Sequence, residues 1–236
     1  MNTSIKILAP VFLIVFSENL WATKPLQPGE AYVTRFSGTT NENGADTATI
    51  DIEGTVGSII DLSAVKSPPQ GQHWINEPQR SPIKAKDAGQ IFGIAIDDND
   101  PAVIYITATS KYGLHRNKDN TGWMEGMWGM NGGPGTVYRL KAENDYQPEI
   151  FSEITLNGRR NTGAALGNIA YDKKHKQLYV SDLETGMIHR IDAKTGKDLG
   201  IFDHGKDGRN HYTNAETGKK SSMPEVTFDP NSKAKI

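Results

Sequence analysis

The feature that most limits what this chain can fold into is an internal repeat. Three short apolar runs, Phe92-Gly93-Ile94-Ala95-Ile96-Asp97, Gly167-Asn168-Ile169-Ala170-Tyr171-Asp172 and Pro224-Glu225-Val226-Thr227-Phe228-Asp229, each close on an aspartate. After the first two comes a β-branched and aromatic run, Val103-Ile104-Tyr105-Ile106-Thr107 and Gln177-Leu178-Tyr179-Val180-Ser181. A third run (135–140 and 186–191) and a fourth (149–156 and 199–202) complete each unit. Ile94 to Ile169 is 75 residues and Ile169 to Val226 is 57. The excess sits between the second and third runs of the first unit, where Tyr105 to Gly135 takes 30 residues against 7 from Tyr179 to Gly186, an insertion of 23. Four short strands per roughly 40–50 residues is the arithmetic of a β-propeller blade. A β-sandwich accounts for alternating strands but not for the same strand order in both units. The 24 glycines and 12 prolines fit many tight turns rather than long helices.

The patterns Gly93-Ile94-Ala95-Ile96-Asp97 with Ile104-Tyr105-Ile106-Thr107, and Ile169-Ala170-Tyr171-Asp172 with Leu178-Tyr179-Val180-Ser181-Asp182 and Ile188-His189-Arg190-Ile191, resemble NHL-type six-bladed propellers. That superfamily includes the gluconolactonase and paraoxonase group. The likeness covers about residues 89–229 and implies an all-β fold of four-stranded blades. It also implies where a catalytic calcium would sit, on Asn or Asp immediately before a glycine in the turn entering an innermost strand. Phe92, Gly167 and Pro224 occupy those places here, and none coordinates through a side chain.

Residues 30–63 are also β-rich and are expected to complete a blade. At the other end, Asp172 precedes Leu178 by 6 residues, and 6 residues beyond Asp229 is Lys235, where the second strand of a third unit would begin. The expectation is therefore an incomplete ring, the N-terminal part of a longer propeller: two full blades, an N-terminal β segment and one orphan strand.

Residues 1–22 read as a secretory signal, with Lys6 ahead of the apolar run 7–16 and Leu20-Trp21-Ala22 at the cleavage point. That run is too short to span about 30 Å of hydrocarbon. Cleavage leaves one domain, 23–236, with no membrane segment. The chain has no cysteine, which excludes disulfides and fits a periplasmic or secreted location. A net charge of −2 gives no clustered basic surface for nucleic acid.

Candidate chemistry is sparse. Asn168 and Glu225 occupy equivalent turns, and with Asp182 they offer oxygen to a hard cation such as calcium, although each residue type also bonds backbone groups in turns. The insertion, about 111–134, carries Trp123-Met124-Glu125-Gly126-Met127-Trp128-Gly129-Met130, an aromatic and thioether surface on a glycine-rich loop. Such a loop either binds a ligand or folds back over the blade edge. Asp203-His204-Gly205-Lys206-Asp207-Gly208 fails as a calcium loop, and 203–222 reads as a solvated connection. No two histidines have the i, i+4 helical spacing that favours zinc, and no Gly-x-Ser-x-Gly elbow is present. The expected function is an exported binding or scaffold module, with contacts to a small molecule or a protein through Trp123, Trp128, Asn168, Asp182 and Glu225. The alternative is a calcium-dependent hydrolase of the lactonase type, which requires three side-chain oxygens converging at about 2.3–2.6 Å on one point. A quinone-dependent dehydrogenase has no motif to support it.

Overall fold

The computed structural model describes residues 24–41, 48–63, 79–119, 121–156, 158–202, 211–213 and 220–222. The expected signal at 1–22, the loop 203–210 and the third repeat run with Glu225 lie outside them. The described residues are all-β in character, built from antiparallel sheets.

The N-terminal β segment forms its own sheet. Strands β1 (Glu30–Thr34), β4 (Thr55–Asp61) and β5 (Gln79–Lys84) pair in the order β1-β4-β5, while β2 (Thr39–Thr40) pairs with β3 (Thr49–Ile50). β5 is not legible as a strand, because Pro82 removes a ladder donor. It is accommodated because β5 is an edge strand and its register with β4 shifts between Gly57 and Ile59, leaving Pro82 exposed between buried Ser81 and Ile83. A single helical turn, α1 (Ala85–Ala88), leads into the first repeat unit.

Each complete repeat unit becomes a four-stranded sheet. The first contains β6 (Ile91–Ile96), β7 (Ile104–Ala108), β8 (Thr136–Leu140) and β9 (Glu149–Glu153). The expected fourth run splits after Glu153, and β10 (Thr155–Leu156) turns back on β11 (Arg159–Arg160). The second sheet contains β12 (Leu166–Asp172), β13 (Gln177–Asp182), β14 (Ile188–Asp192) and β15 (Asp198–Phe202). Beyond it, β16 (His211–Thr213) pairs with β17 (Lys220–Ser222), so the stretch expected to be a loop contains a hairpin.

The recurrent aspartates have a local cause. Asp97 Oδ1 accepts from Asn99 N at 3.1 Å and Val103 N at 2.8 Å. Asp172 Oδ1 takes Lys174 N at 2.9 Å, and Asp192 Oδ1 takes Thr195 N at 2.7 Å. In each case the carboxylate supplies hydrogen bonds that a tight turn cannot make within its own backbone. The Asp192 turn ends in a left-handed glycine, Gly196 at φ 74°, and the turn after Asp182 does the same with Gly186 at φ 69°, as sterics favour.

The three larger sheets stack. Val56, Ile59 and Ile83 of the N-terminal sheet pack with Ile91, Ile104, Ile106 and Leu140 of the first repeat sheet. On the opposite face of that sheet, Ala95, Tyr105 and Val137 pack with Leu166, Ile169, Leu178, Val180 and Ile191 of the second. Polar contacts seal this second boundary: Thr107 Oγ1 donates to Gly167 O at 2.8 Å, Tyr105 Oη to Ala193 O at 3.0 Å and Ser152 Oγ to Gly196 O at 2.8 Å.

Candidate functional site

The first strands of the two repeat sheets, β6 and β12, begin at one end of the stack, where β7 and β13 finish, because Ile91 pairs with Ala108 and Leu166 with Asp182. The insertion leaves β7 and returns to β8, so it lies at that same end. It is bound there rather than hanging free. Gln90 N donates to Met127 O at 3.1 Å, Gln90 Nε2 to Gly126 O at 2.9 Å and Met130 N to Lys86 O at 2.9 Å. Its glycines serve close approach: a Cβ on Gly129 would lie 2.3 Å from Asp87 O.

Trp123 and Trp128 meet edge to face, with centroids 6.0 Å apart and planes at 80°. This is the arrangement the ring quadrupoles favour. The Arg116 guanidinium lies 4.7 Å from the Trp123 ring centre. Lys86, Trp123, Met124, Glu125, Trp128 and Met130 line a cavity of about 240 Å³. Met130 is 78% exposed beside it. The Trp128 indole N–H is buried and meets no acceptor among the described residues. A buried donor without a partner costs about 1–3 kcal/mol.

The same end holds a buried polar network. Trp123 Nε1 donates to Thr162 O at 3.2 Å, and Thr162 gives both its N–H, at 2.5 Å, and its hydroxyl, at 2.9 Å, to Glu184 Oε2. Next to Thr162, Asn161 Nδ2 donates to Asp182 Oδ1 at 2.8 Å, and Thr185 Oγ1 donates to Asp182 Oδ2 at 2.8 Å. His189, fully buried, has Nδ1 3.0 Å from Asp198 Oδ2 and Nε2 3.8 Å from Asp182 Oδ2. Burial pulls the His189 pKa down, but the two carboxylates outweigh it and hold the ring above its ordinary range. Burial likewise pushes Asp182 up, and the nearby His189 ring together with hydrogen bonds from Thr185 and the Glu184 amide brings it below the usual carboxylate value.

The expected site residues therefore separate. Trp123 and Trp128 line one cavity, and Asp182 is joined to Trp123 through the Asn161-Thr162 dipeptide, but its oxygens are committed to the turn it caps. Asn168 is exposed on β12, with its side-chain oxygen accepting from Ile169 N at 3.0 Å, and it is not opposite Asp182. Glu225 lies outside the described residues. Among the described residues, no group of three or more His, Cys, Asp or Glu side chains is arranged to hold a metal such as calcium. The sequence reading missed Glu184, only 1% exposed, and Thr162. A signal for Glu184 was available: the turn Asp182-Leu183-Glu184-Thr185-Gly186 recurs as Asp192-Ala193-Lys194-Thr195-Gly196, and only the first places an acid at its third position. No protein-family model, curated protein or solved structure matches this chain.

Proposed function

We propose that this chain is an exported β-propeller binding module whose ligand seats on the insertion between the second and third strands of its first blade. Two stacked four-stranded sheets with matching strand order, flanked by a third sheet, support the propeller architecture. The observation that carries the ligand reading is the unpartnered Trp128 indole N–H beside an open aromatic and thioether cavity. At about 240 Å³ the cavity falls below the roughly 300–1,000 Å³ of sites that engulf a whole drug-sized ligand. It suits one ring that presents an apolar face to Trp123 and Met130 and an acceptor oxygen to Trp128. The network from Trp123 through Thr162 to Glu184 holds that surface to the second sheet, which limits the ordering cost of binding.

The test is a thermal-shift and tryptophan-fluorescence screen of single-ring compounds (pyranoses, lactones and aromatic acids) against the native chain and Trp128→Phe. The variant keeps the ring and deletes the donor. A compound that raises the melting temperature and perturbs fluorescence in the native chain, with weaker binding in the variant, is the expected result. Hits that bind both proteins equally would overturn the reading, as would a panel without hits.

A further inference from the structure

A second cavity adjoins the one on the insertion. It too measures about 240 Å³, and Gly132 is a wall of both. Around it stand Asn131, Pro134, Ile150, Glu153, Arg160 and Asn161. The divide between the cavities is low for a steric reason. A Cβ on Gly132 would lie 2.0 Å from the hydroxyl of buried Tyr138, so glycine lets the loop pass over that ring and leaves the shared wall without a side chain. Gly133 N donates to Thr136 Oγ1 at 2.7 Å, and Thr136 Oγ1 donates in turn to Glu153 Oε1 at 2.5 Å, which pins the loop and aims the carboxylate. Asn161 links the cavities, since it lines the second while its neighbour Thr162 accepts from the Trp123 indole of the first. Their chemistry differs. Trp123, Trp128, Met124 and Met130 wall the first, whereas the second is polar and charged, with Ile150, 46% exposed, as its apolar patch. Arg160, paired through its backbone with Thr155 in the β10–β11 hairpin, is exposed. Its guanidinium has no ion-pair partner among the described residues, although Glu153 lines the same cavity.

We propose that the two cavities are adjacent subsites for one ligand, an acidic disaccharide. Its neutral sugar ring lies on Trp123 and Met130 and is joined across Gly132 to a uronic acid whose carboxylate pairs with Arg160. The inference rests on the binding reading above and adds to it a second ring and a charge. Size sets the number of units, because each cavity suits one ring and the two share a wall. Polarity sets their order. The apolar face of a pyranose stacks on an indole, while a guanidinium grips a carboxylate through two parallel hydrogen bonds. Sugar hydroxyls complete the match in the second subsite, since each both donates and accepts. They can donate to Glu153 Oε2, the oxygen that Thr136 leaves open, and accept from the Asn131 amide. An aromatic acid would fill the first cavity and reach Arg160 but offer Glu153 no donor.

The test is calorimetric titration of the native chain, Arg160→Ala and Trp128→Phe with matched probe pairs. Each pair is a disaccharide ending in glucuronic, galacturonic or mannuronic acid and the same disaccharide with its carboxyl reduced to the alcohol. The native chain binds at least one acidic member about tenfold or more tightly than its reduced partner, as a charged hydrogen-bonded pair allows, and the preference shrinks as salt rises. Arg160→Ala brings that acidic member down to the level of its reduced partner without changing the melting temperature. Equal affinity within every pair overturns the inference, as does a preference that survives in Arg160→Ala or a panel without binding. Trp128→Phe separates this inference from the reading beneath it. Single-ring hits that need Trp128, with no charge preference among the disaccharides, sink the second subsite alone. An acidic disaccharide that needs Arg160 but binds Trp128→Phe as well as the native chain sinks the insertion reading and the two-subsite ligand with it.

Discussion

The two repeat sheets use nearly the same sequence pattern, and their second strands make the instructive contrast. β7, Ile104-Tyr105-Ile106-Thr107-Ala108, is buried at every position because sheets cover both its faces. β13, Gln177-Leu178-Tyr179-Val180-Ser181-Asp182, alternates, with Leu178, Val180 and Asp182 buried and Tyr179 exposed. A strand's apparent preference is thus a report on its neighbours as much as on its own residues. The cores differ in kind as well. Tyr138 of the first sheet and His189 of the second hold equivalent places, across from Ile106 and Val180. Burial drives the Tyr138 hydroxyl far up, so that position stays neutral, whereas His189 sits between two carboxylates.

The largest expected effect breaks the covered face. Tyr105→Ala removes a buried aromatic and its bond to Ala193, and costs about 3–5 kcal/mol by urea unfolding. Tyr179→Ala then measures how far the matching face of the second sheet is covered, since an equal loss makes the two faces equivalent. Next in size is His189→Leu, which strips the buried Asp182 of a partner and costs about 1–3 kcal/mol.

The same variant tests pH dependence. The folded His189 pKa lies above its ordinary 6.5, so its contribution is fully present below 6.5 and is lost as pH rises through the raised value. Asp182 lies below its ordinary 3.8, so its contribution is present above 3.8 and is lost as pH falls through the lowered value. Urea midpoints from pH 3 to 9 should therefore fall on both sides of a plateau, and His189→Leu should flatten the alkaline side, which Tyr138→Phe leaves intact. The smallest effect lies at the exposed boundary between the sheets. The Lys176 ammonium and the Tyr171 hydroxyl hold Asp98 at about 2, below 3.8, and Lys176→Ala moves it back up, as NMR titration of the Asp98 carboxyl would register, with little change in melting.

Much of the strand order was readable because period-two patterning, and an aspartate closing the first run, recur in the same order in both units. β6 to β8 and β12 to β15 fall within a residue or two of the expected runs, while β9 stops three residues short of its run. β5 was hidden because Pro82 and the polar Gln79, Arg80 and Ser81 resemble a loop, and only the bulged pairing with β4 makes them a strand. In the candidate site the tryptophans were visible by composition. Glu184 was not, because a turn glutamate is ordinarily solvated, and its burial depends on Thr162, 22 residues upstream, folding over it.

The start of the described chain is tethered to a distant point. Leu26 N donates to the Tyr146 hydroxyl, 120 residues later, and Arg80 reaches back to the carbonyls of Lys24 and Pro25 while pairing with Glu30. Lys24 and Pro25 thus meet Arg80 before the first repeat sheet begins, whereas Leu26 gains its Tyr146 partner only after most of that sheet has been synthesised. Closing so wide a loop is slow compared with local pairing. The leading end of the described chain therefore takes up its full set of partners only once most of the first repeat sheet is in place.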